Sequence, residues 1–251
     1  MILVLLVVFT LMLFGSWLLI KGQLLRRIAG IISSLLLVAT IVLVALHLQN
    51  HLGMKEVTTT TENEIYTAGD TASPANLLIV SEIGTASDNY AIVYRDSADA
   101  EASETHFVPD ESDIVNAVKL TASYQTADTT QAVAETKTTK WDFSSNFYKA
   151  LFSFENQADE IISEKVTVTV PEKTWVVLTS DQAQQLQDSQ SSLTAEEQAA
   201  AQANLQAAVQ TAVSNYLMEN PTASQEDIQN FTTEATAEAA VQAIKAQLAN
   251  A

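Results

Sequence analysis

The first 46 residues constrain the fold most, because they contain no acidic residue and only three basic ones. Residues 1–20 contain no charged side chain, and residues 28–46 form a second uncharged stretch. An α-helix rises about 1.5 Å per residue, so about twenty residues cross the roughly 30 Å hydrocarbon core of a bilayer. The sequence therefore predicts two transmembrane helices, at residues 1–20 and 28–46, with the lipid bilayer as their partner.

A cleavable signal peptide is the alternative for the first segment. Such a peptide has a basic start, a shorter apolar core and a small-residue cleavage site. In this chain the first base is Lys21, and residues 17–20 read Trp-Leu-Leu-Ile, a poor cleavage context. We therefore favour a retained helix.

The three bases Lys21, Arg26 and Arg27 all lie in the segment 21–27 that joins the two apolar stretches. So short a connection requires an antiparallel helical hairpin. Lys and Arg near the ends of spans are retained on the cytoplasmic side, and the flank after the second span offers only Lys55 up to residue 61. We therefore expect a cytoplasmic loop at 21–27 and an extracytoplasmic location for residues 47–251.

Small residues recur in the second span, as Ala29 with Ser33 and Gly30 with Ser34. Small residues four apart let helix backbones approach closely. Packing of the two spans against each other is the favoured interpretation, and self-association through the hairpin is the alternative. No ionisable residue lies at mid-membrane depth, which argues against a proton or ion pathway.

Residues 55–180 are rich in β-branched and aromatic runs that Gly, Pro and Asp-Asn interrupt, a pattern typical of strands. Period-two alternation is clearest at 166–170. The predicted strands lie at 57–66, 77–80, 91–94, 115–124, 136–143, 166–170 and 175–178. We expect the aromatic residues of 141–154 to pack in the core of this small antiparallel β-rich domain.

Residues 181–251 are rich in Ala and Gln and contain no Gly. Thr194 and Glu197 form a capping box, Pro221 interrupts the pattern, and Ser224 with Asp227 starts a second helix. The sequence therefore predicts a C-terminal α-helical hairpin. Its apolar stripes are thin, so it needs a partner: its own helices, the β unit or another chain. We expect it to serve assembly rather than the stability of the β unit.

Residues that could carry chemistry are few. His47 and His51 are spaced as two ligands on one helical face, but polar residues at the membrane interface explain them better. The acidic stretch from Asp96 to Asp113 does not match an EF-hand loop and reads as an exposed loop. With no Cys and no Gly-x-Ser-x-Gly motif, we predict no catalytic, cofactor-binding or metal-binding residues. A formal charge of -18 argues against a nucleic-acid partner.

Several short motifs carry a resemblance to a known family. They are residues 53–59 (Gly-Met-Lys-x-Val-Thr-Thr), 65–66 (Ile-Tyr), 139–141 (Thr-Lys-Trp), 147–152 (Phe-Tyr-Lys-x-Leu-Phe) and 176–178 (Val-Val-Leu) ahead of a Gln-rich helix. With the two N-terminal spans, they cover most of residues 1–190. The chain resembles an uncharacterised family of membrane proteins from lactic acid bacteria, known as a domain of unknown function. The resemblance implies a Gram-positive bacterial cell membrane and no named catalytic residue.

The fold class predicted from these observations is a membrane-anchored α+β protein. A two-helix transmembrane hairpin precedes the β-rich extracytoplasmic domain at 55–180 and the helical tail at 181–251. The leading functional hypothesis is a non-enzymatic, membrane-anchored cell-envelope protein that binds or assembles through its extracytoplasmic domain. The alternatives are an accessory subunit of a membrane transporter or signalling complex, and an extracytoplasmic hydrolase built on scattered Ser, Asp and His106.

Overall fold

A computed structural model describes residues 1–110, 112–154 and 158–249. The chain divides into two compact units, Met1–Thr59 with Thr138–Ser163 and Thr60–Lys137 with Glu164–Ala251. The helices in the described residues are α1 Ile2–Leu19, α2 Gln23–Asn50, α3 Ile114–Ala117, α4 Asn146–Phe152, α5 Ser180–Ser192, α6 Ala195–Glu219 and α7 Gln225–Ala249. The strands are β1 Met54–Glu64, β2 Asn76–Glu82, β3 Tyr90–Tyr94, β4 Glu104–His106, β5 Leu120–Ala127, β6 Val133–Phe143, β7 Ile161–Pro171 and β8 Trp175–Thr179.

The first unit contains the apolar helix pair α1 and α2. Both are long and apolar enough to cross a membrane, with a mean hydropathy of 2.7. Their shared seam contains small or polar residues, including Ser16, Gly30 and Ser33. Ser33 donates to the carbonyl of Ala29 at 2.8 Å, as expected for a hydroxyl without access to water. Gly30 and Ser33 therefore serve the packing of the two helices against each other.

Helix α2 begins at Gln23, earlier than the apolar stretch at 28–46. Arg26 and Arg27 are therefore its fourth and fifth residues, and the amide of Arg26 donates to the carbonyl of Gly22. The link between the helices reduces to residues 20–22.

The strands form two four-stranded sheets, with the orders β1-β6-β7-β5 and β4-β3-β2-β8. Strand β2 is antiparallel to β3 but parallel to β8, and β5 is parallel to β7. The predicted antiparallel β-rich domain is therefore wrong in this respect, because the sheets are mixed. The parallel pairs join strands that are distant in sequence, which needs crossover connections that local patterns do not reveal.

The core of the second unit draws side chains from both sheets. Val166, Val168 and Val170 are fully buried on one face of β7, which confirms the alternation seen at 166–170. They pack with Leu78 of β2 and Ile92 of β3. This core is mainly aliphatic. The predicted placement of the aromatic run 141–154 in the β core is wrong, because those residues belong to the first unit.

Strand β8 is buried on both faces. Trp175 packs into the aliphatic core, whereas Val176 and Leu178 pack on the opposite side with Leu186 of α5 and Val241 of α7. Burial on both faces explains why residues 175–178 read as a continuous apolar run. The C-terminal helices therefore complete the second unit, and the β surface is their partner.

The helix starts predicted in the C-terminal region are confirmed. Thr194 accepts from the amide of Glu197 while the Glu197 carboxylate accepts from the amide of Thr194, and α7 follows the Ser224–Asp227 pair. An additional helix, α5, begins with a capping box between Thr179 and Gln182. The C-terminal region thus contains three helices rather than a hairpin alone.

The predicted strand at 115–124 is wrong in its first part. Residues 114–117 form α3, because the Asp113 side chain accepts from the amide of Asn116 and caps a helical turn. The strand itself begins at Leu120.

Candidate functional site

The second unit carries an open polar groove of about 650 Å³. Its walls come from the segment before β2, the β5–β6 turn, the β7–β8 turn and one face of α7. The lining residues are Pro74, Asn76, Asp128, Thr129, Thr130, Pro171, Lys173, Thr174, Asn230, Thr232, Thr233, Glu234, Thr236 and Ala237. Six of these are threonines, so hydroxyl groups are the most frequent polar groups in the lining.

The threonine hydroxyls of α7 donate their hydrogens to backbone carbonyls of the same helix. Thr232 donates to the carbonyl of Ile228 at 2.6 Å, and Thr236 donates to the carbonyl of Thr232 at 2.7 Å. Each hydroxyl oxygen keeps acceptor capacity toward the groove. The threonines of α7 therefore present acceptors, and Asn230 on the same helix supplies a side-chain amide donor. Nδ2 of Asn76 already donates to the carbonyl of Thr174.

One ion pair lies in this groove. Nζ of Lys173, in the β7–β8 turn, lies 3.8 Å from Oε1 of Glu234 on α7, and both side chains are about half exposed, at 54% and 53%. An ion pair with this exposure contributes little to stability, at most about 1 kcal/mol. Breaking this ion pair costs little free energy, so Lys173 and Glu234 can each contact a bound ligand instead. The arrangement suits hydrogen bonding to a polar ligand, and no histidine lines it.

His106 lies elsewhere in the second unit, at the end of β4. Its ring stacks on that of Tyr94 at 3.9 Å, and its Nε2 lies 3.8 Å from Oδ1 of Asp96. Burial raises the pKa of Tyr94 to about 12. His106 lines neither the groove nor a smaller cavity of about 370 Å³ beside Tyr90 and Tyr124. A deep polar cleft beside His106 would favour the hydrolase hypothesis, and neither of these two cavities is such a cleft.

His47 is fully buried in the first unit. Its ring stacks on Phe152 at 4.0 Å, and Nδ1 lies 2.8 Å from the carbonyl oxygen of Leu52. Because a carbonyl only accepts, Nδ1 carries the proton, and Nε2 has no partner among the described residues. His47 therefore acts as a buried packing residue in the last turn of α2.

His51 contacts a different ring. It stacks on Trp141 at 4.2 Å and ends α2 in the left-handed region, at φ 51. Within the described residues no group of three His, Asp or Glu side chains is placed to hold a metal ion. The prediction that His47 and His51 do not form a metal site stays a prediction.

The aromatic residues near His47 were expected in the β core, but the sequence interpretation missed α4. Ser145 caps this helix by accepting from the amide of Tyr148, and it is followed by apolar residues at helical spacing, a signal that could have revealed it. Phe152 is fully buried with Ile2 and Phe143, whereas Phe147 is 68% exposed.

The acidic stretch from residue 96 to 113 contains exposed Asp96, Asp99, Glu101, Glu104, Asp110 and Asp113, while Glu111 lies outside the described residues. The Asp110 carboxylate accepts from the amide and hydroxyl of Ser112, which lowers its pKa. The Asp113 carboxylate caps α3. These two carboxylates order local turns.

Comparison with known proteins gives one family. The model of a domain of unknown function, DUF4811, matches residues 22–186, from the link before α2 to the middle of α5. No curated protein and no solved structure matches the chain. Because the match spans well over half of the sequence, the chain belongs to the DUF4811 family.

Proposed function

We propose that this protein is a non-enzymatic, membrane-anchored protein of the cell envelope. In this proposal α1 and α2 cross the membrane, the link between them is cytoplasmic, and the chain after α2 lies outside the cell. Its soluble part binds or assembles with another component. The resemblance to membrane proteins of lactic acid bacteria supports an envelope of the Gram-positive type.

The observation that carries the proposal is the exposure of the apolar helix pair. Only 11% of the apolar window of α1 and 17% of that of α2 is buried. A core helix of a soluble protein would be mostly buried, and contiguous apolar surface of this size is unstable in water. Lipid would cover it.

Charge and the geometry of the hairpin support the proposed direction of insertion. Ile2, at the start of α1, packs in one cluster with Val44, near the end of α2, so the two helices are antiparallel. Lys21, Arg26 and Arg27 lie at the opposite end, where α1 ends and α2 begins. An excess of bases marks the cytoplasmic side, which supports an extracytoplasmic location for the chain after α2.

Binding is favoured over catalysis by the open groove in the second unit. Its threonine and asparagine side chains suit hydrogen bonding, and its single Lys–Glu pair lacks a neighbouring histidine that could act as a base. The accessory-subunit alternative needed small-residue faces turned outward. Gly30 and Ser33 are buried between the helices, whereas Ser34 is exposed.

Cysteine labelling tests the topology, because the chain has no Cys and a single introduced thiol is unambiguous. Gly22→Cys places a thiol in the link, where an added Cβ meets no atom closer than 3.8 Å. Ser191→Cys places one on the exposed surface of α5. In wall-stripped intact cells, a membrane-impermeant maleimide should label Ser191→Cys at once and Gly22→Cys only after permeabilisation. The reverse pattern would contradict the proposal.

Photocrosslinking tests the binding role of the groove. Thr233 on α7 lines the groove and Thr211 on α6 does not, yet both are exposed and donate to the carbonyl four residues earlier. A photoreactive phenylalanine at Thr233 should give a discrete adduct in native membranes, whereas the same group at Thr211 should not. Identical adduct patterns from both positions would contradict the proposal that the groove binds a partner.

A further inference from the structure

The helix pair of the first unit forms an open, shallow cavity of about 360 Å³ next to the link at residues 20–22. Leu13 and Trp17 contribute to it from α1, and Arg27, Gly30, Ile31 and Ser34 contribute from α2. The α2 residues are spaced by three or four positions and therefore lie along one face of the helix. The cavity thus runs from a guanidinium at one end over about 10 Å of mostly apolar helix surface.

Gly30 determines the shape of this cavity. A Cβ atom at this position would lie 3.1 Å from Nε1 of Trp17 and 3.5 Å from Oγ of Ser16. The missing side chain therefore allows the indole to lie close to the backbone of α2. Trp17 is nonetheless 66% exposed, which suits an indole at the boundary between lipid and water.

The charge at the mouth of the cavity has no acidic counterpart in this part of the chain. The first acidic residue of the sequence is Glu56, beyond both helices, whereas Lys21, Arg26 and Arg27 follow one another closely. Among the described residues, no carboxylate lies within 4.0 Å of the Arg27 guanidinium. An anion from outside the protein would therefore meet an uncompensated positive charge at this end of the hairpin.

We propose that this cavity binds one anionic phospholipid. The Arg27 guanidinium donates to the lipid phosphate, and one acyl chain lies against Leu13, Gly30 and Ile31. The indole N–H of Trp17 is a second donor at the mouth. A net negative lipid is favoured over a zwitterionic one, because a zwitterionic headgroup carries its own ammonium and leaves the three bases unneutralised.

This inference rests on the membrane insertion in the proposed function but not on its direction, since either leaflet can supply the lipid. The test uses the full-length protein in phosphatidylcholine vesicles. A small fraction of the lipid is replaced by brominated phosphatidylglycerol or, in parallel, by brominated phosphatidylcholine. Bromine quenches tryptophan on contact, and subtracting the signal of Trp17→Phe isolates the contribution of Trp17.

We expect brominated phosphatidylglycerol to quench Trp17 with a relative association constant about fivefold above that of brominated phosphatidylcholine. Arg27→Gln should bring the ratio close to one. Arg26→Gln is the matched control, because it removes the same charge one residue away but does not line the cavity. It should retain most of the preference. Ser34→Leu should lower the preference with all charges intact, because the exposed Ser34 lines the cavity.

Equal quenching by the two lipids in the unaltered protein would overturn the inference. Equal losses from Arg26→Gln and Arg27→Gln would also overturn it, since they would indicate diffuse attraction to the basic link. Flotation of every variant with the vesicles is measured first. Protein that floats without lipid preference refutes the lipid site alone, whereas protein that does not float refutes the membrane anchoring.

Discussion

Replacing Val241 with alanine tests whether the C-terminal helices belong to the core of the second unit. Val241 is fully buried on α7 and packs with Val176 and Leu178 of β8 and Leu186 of α5. The substitution removes two methyl groups, each with a transfer free energy of about 0.8 kcal/mol. The cavity left behind adds to this loss. We expect the free energy of unfolding of this unit to fall by about 2 kcal/mol.

Hydrogen exchange measured by mass spectrometry suits this prediction, because a two-unit membrane protein does not unfold in one step. The amides of β8 should exchange about thirtyfold faster in Val241→Ala, since each 1.4 kcal/mol corresponds to a factor of about ten. The midpoint of thermal unfolding, followed by the fluorescence of the tryptophans, should fall by about 4–8 °C. The buried Trp175 reports on the same strand.

Met218→Ala is the matched control. Met218 lies on α6 and is 73% exposed, so losing its side chain removes little packing. It should change the stability by less than about 0.5 kcal/mol. Exchange in β8 that is equally slow in both variants would refute the reasoning. The C-terminal helices would then serve assembly, as the composition of the tail first indicated.

Three further predictions concern other parts of the chain. Gly53→Ala should destabilise the protein by about 1–3 kcal/mol more than Gly84→Ala. Both glycines have positive φ, but only at Gly53 would an added Cβ clash with the ring of Tyr148, and thermal melts of the two variants compare the costs. His47→Ala should cost about 2–4 kcal/mol, because a fully buried ring stacked on Phe152 is lost, and unchanged denaturant unfolding would contradict this. Between pH 10 and 12 the stability should decline, because burial raises the pKa of Tyr94 to about 12, so the folded state holds the phenol proton after the unfolded state has lost it. Tyr94→Phe should reduce this decline without abolishing it, since burial also raises the pKa of Tyr66 and Tyr90.

The features predicted best from sequence are those decided within one segment. The apolar length of α1 and α2 exceeds what a buried helix needs, and the caps at Thr194 and Ser224 depend on residues three positions away. The positions of most strands within 55–180 could also be predicted, because runs of β-branched and aromatic residues within one segment favour a strand. Where two local signals competed, as at residues 114–117, the cap at Asp113 prevailed over the β-branched pair that follows it.

The features missed depend on partners distant in sequence. Val176 faces the C-terminal helices and Val177 the aliphatic core, but nothing local says that β8 pairs with β2, about a hundred residues earlier. The burial of His47 likewise depends on Phe152, which is brought to it by a helix that begins at Asn146. The polar groove could not be predicted from the sequence either, because its walls come from four segments that are distant in sequence.

The family match ends at residue 186, and Leu186 itself packs in the cluster that contains Val241. The matched segment therefore stops inside a core that α7 completes in this chain. Many different patterns of small residues at helical spacing can form the face of a helix that packs on a strand. An alanine-rich helix therefore has few positions at which a particular residue type identifies the family. A low-complexity segment outside a family match can thus contribute to the same core as the matched domain, and burial of single residues such as Val241 is the better guide to where this unit ends.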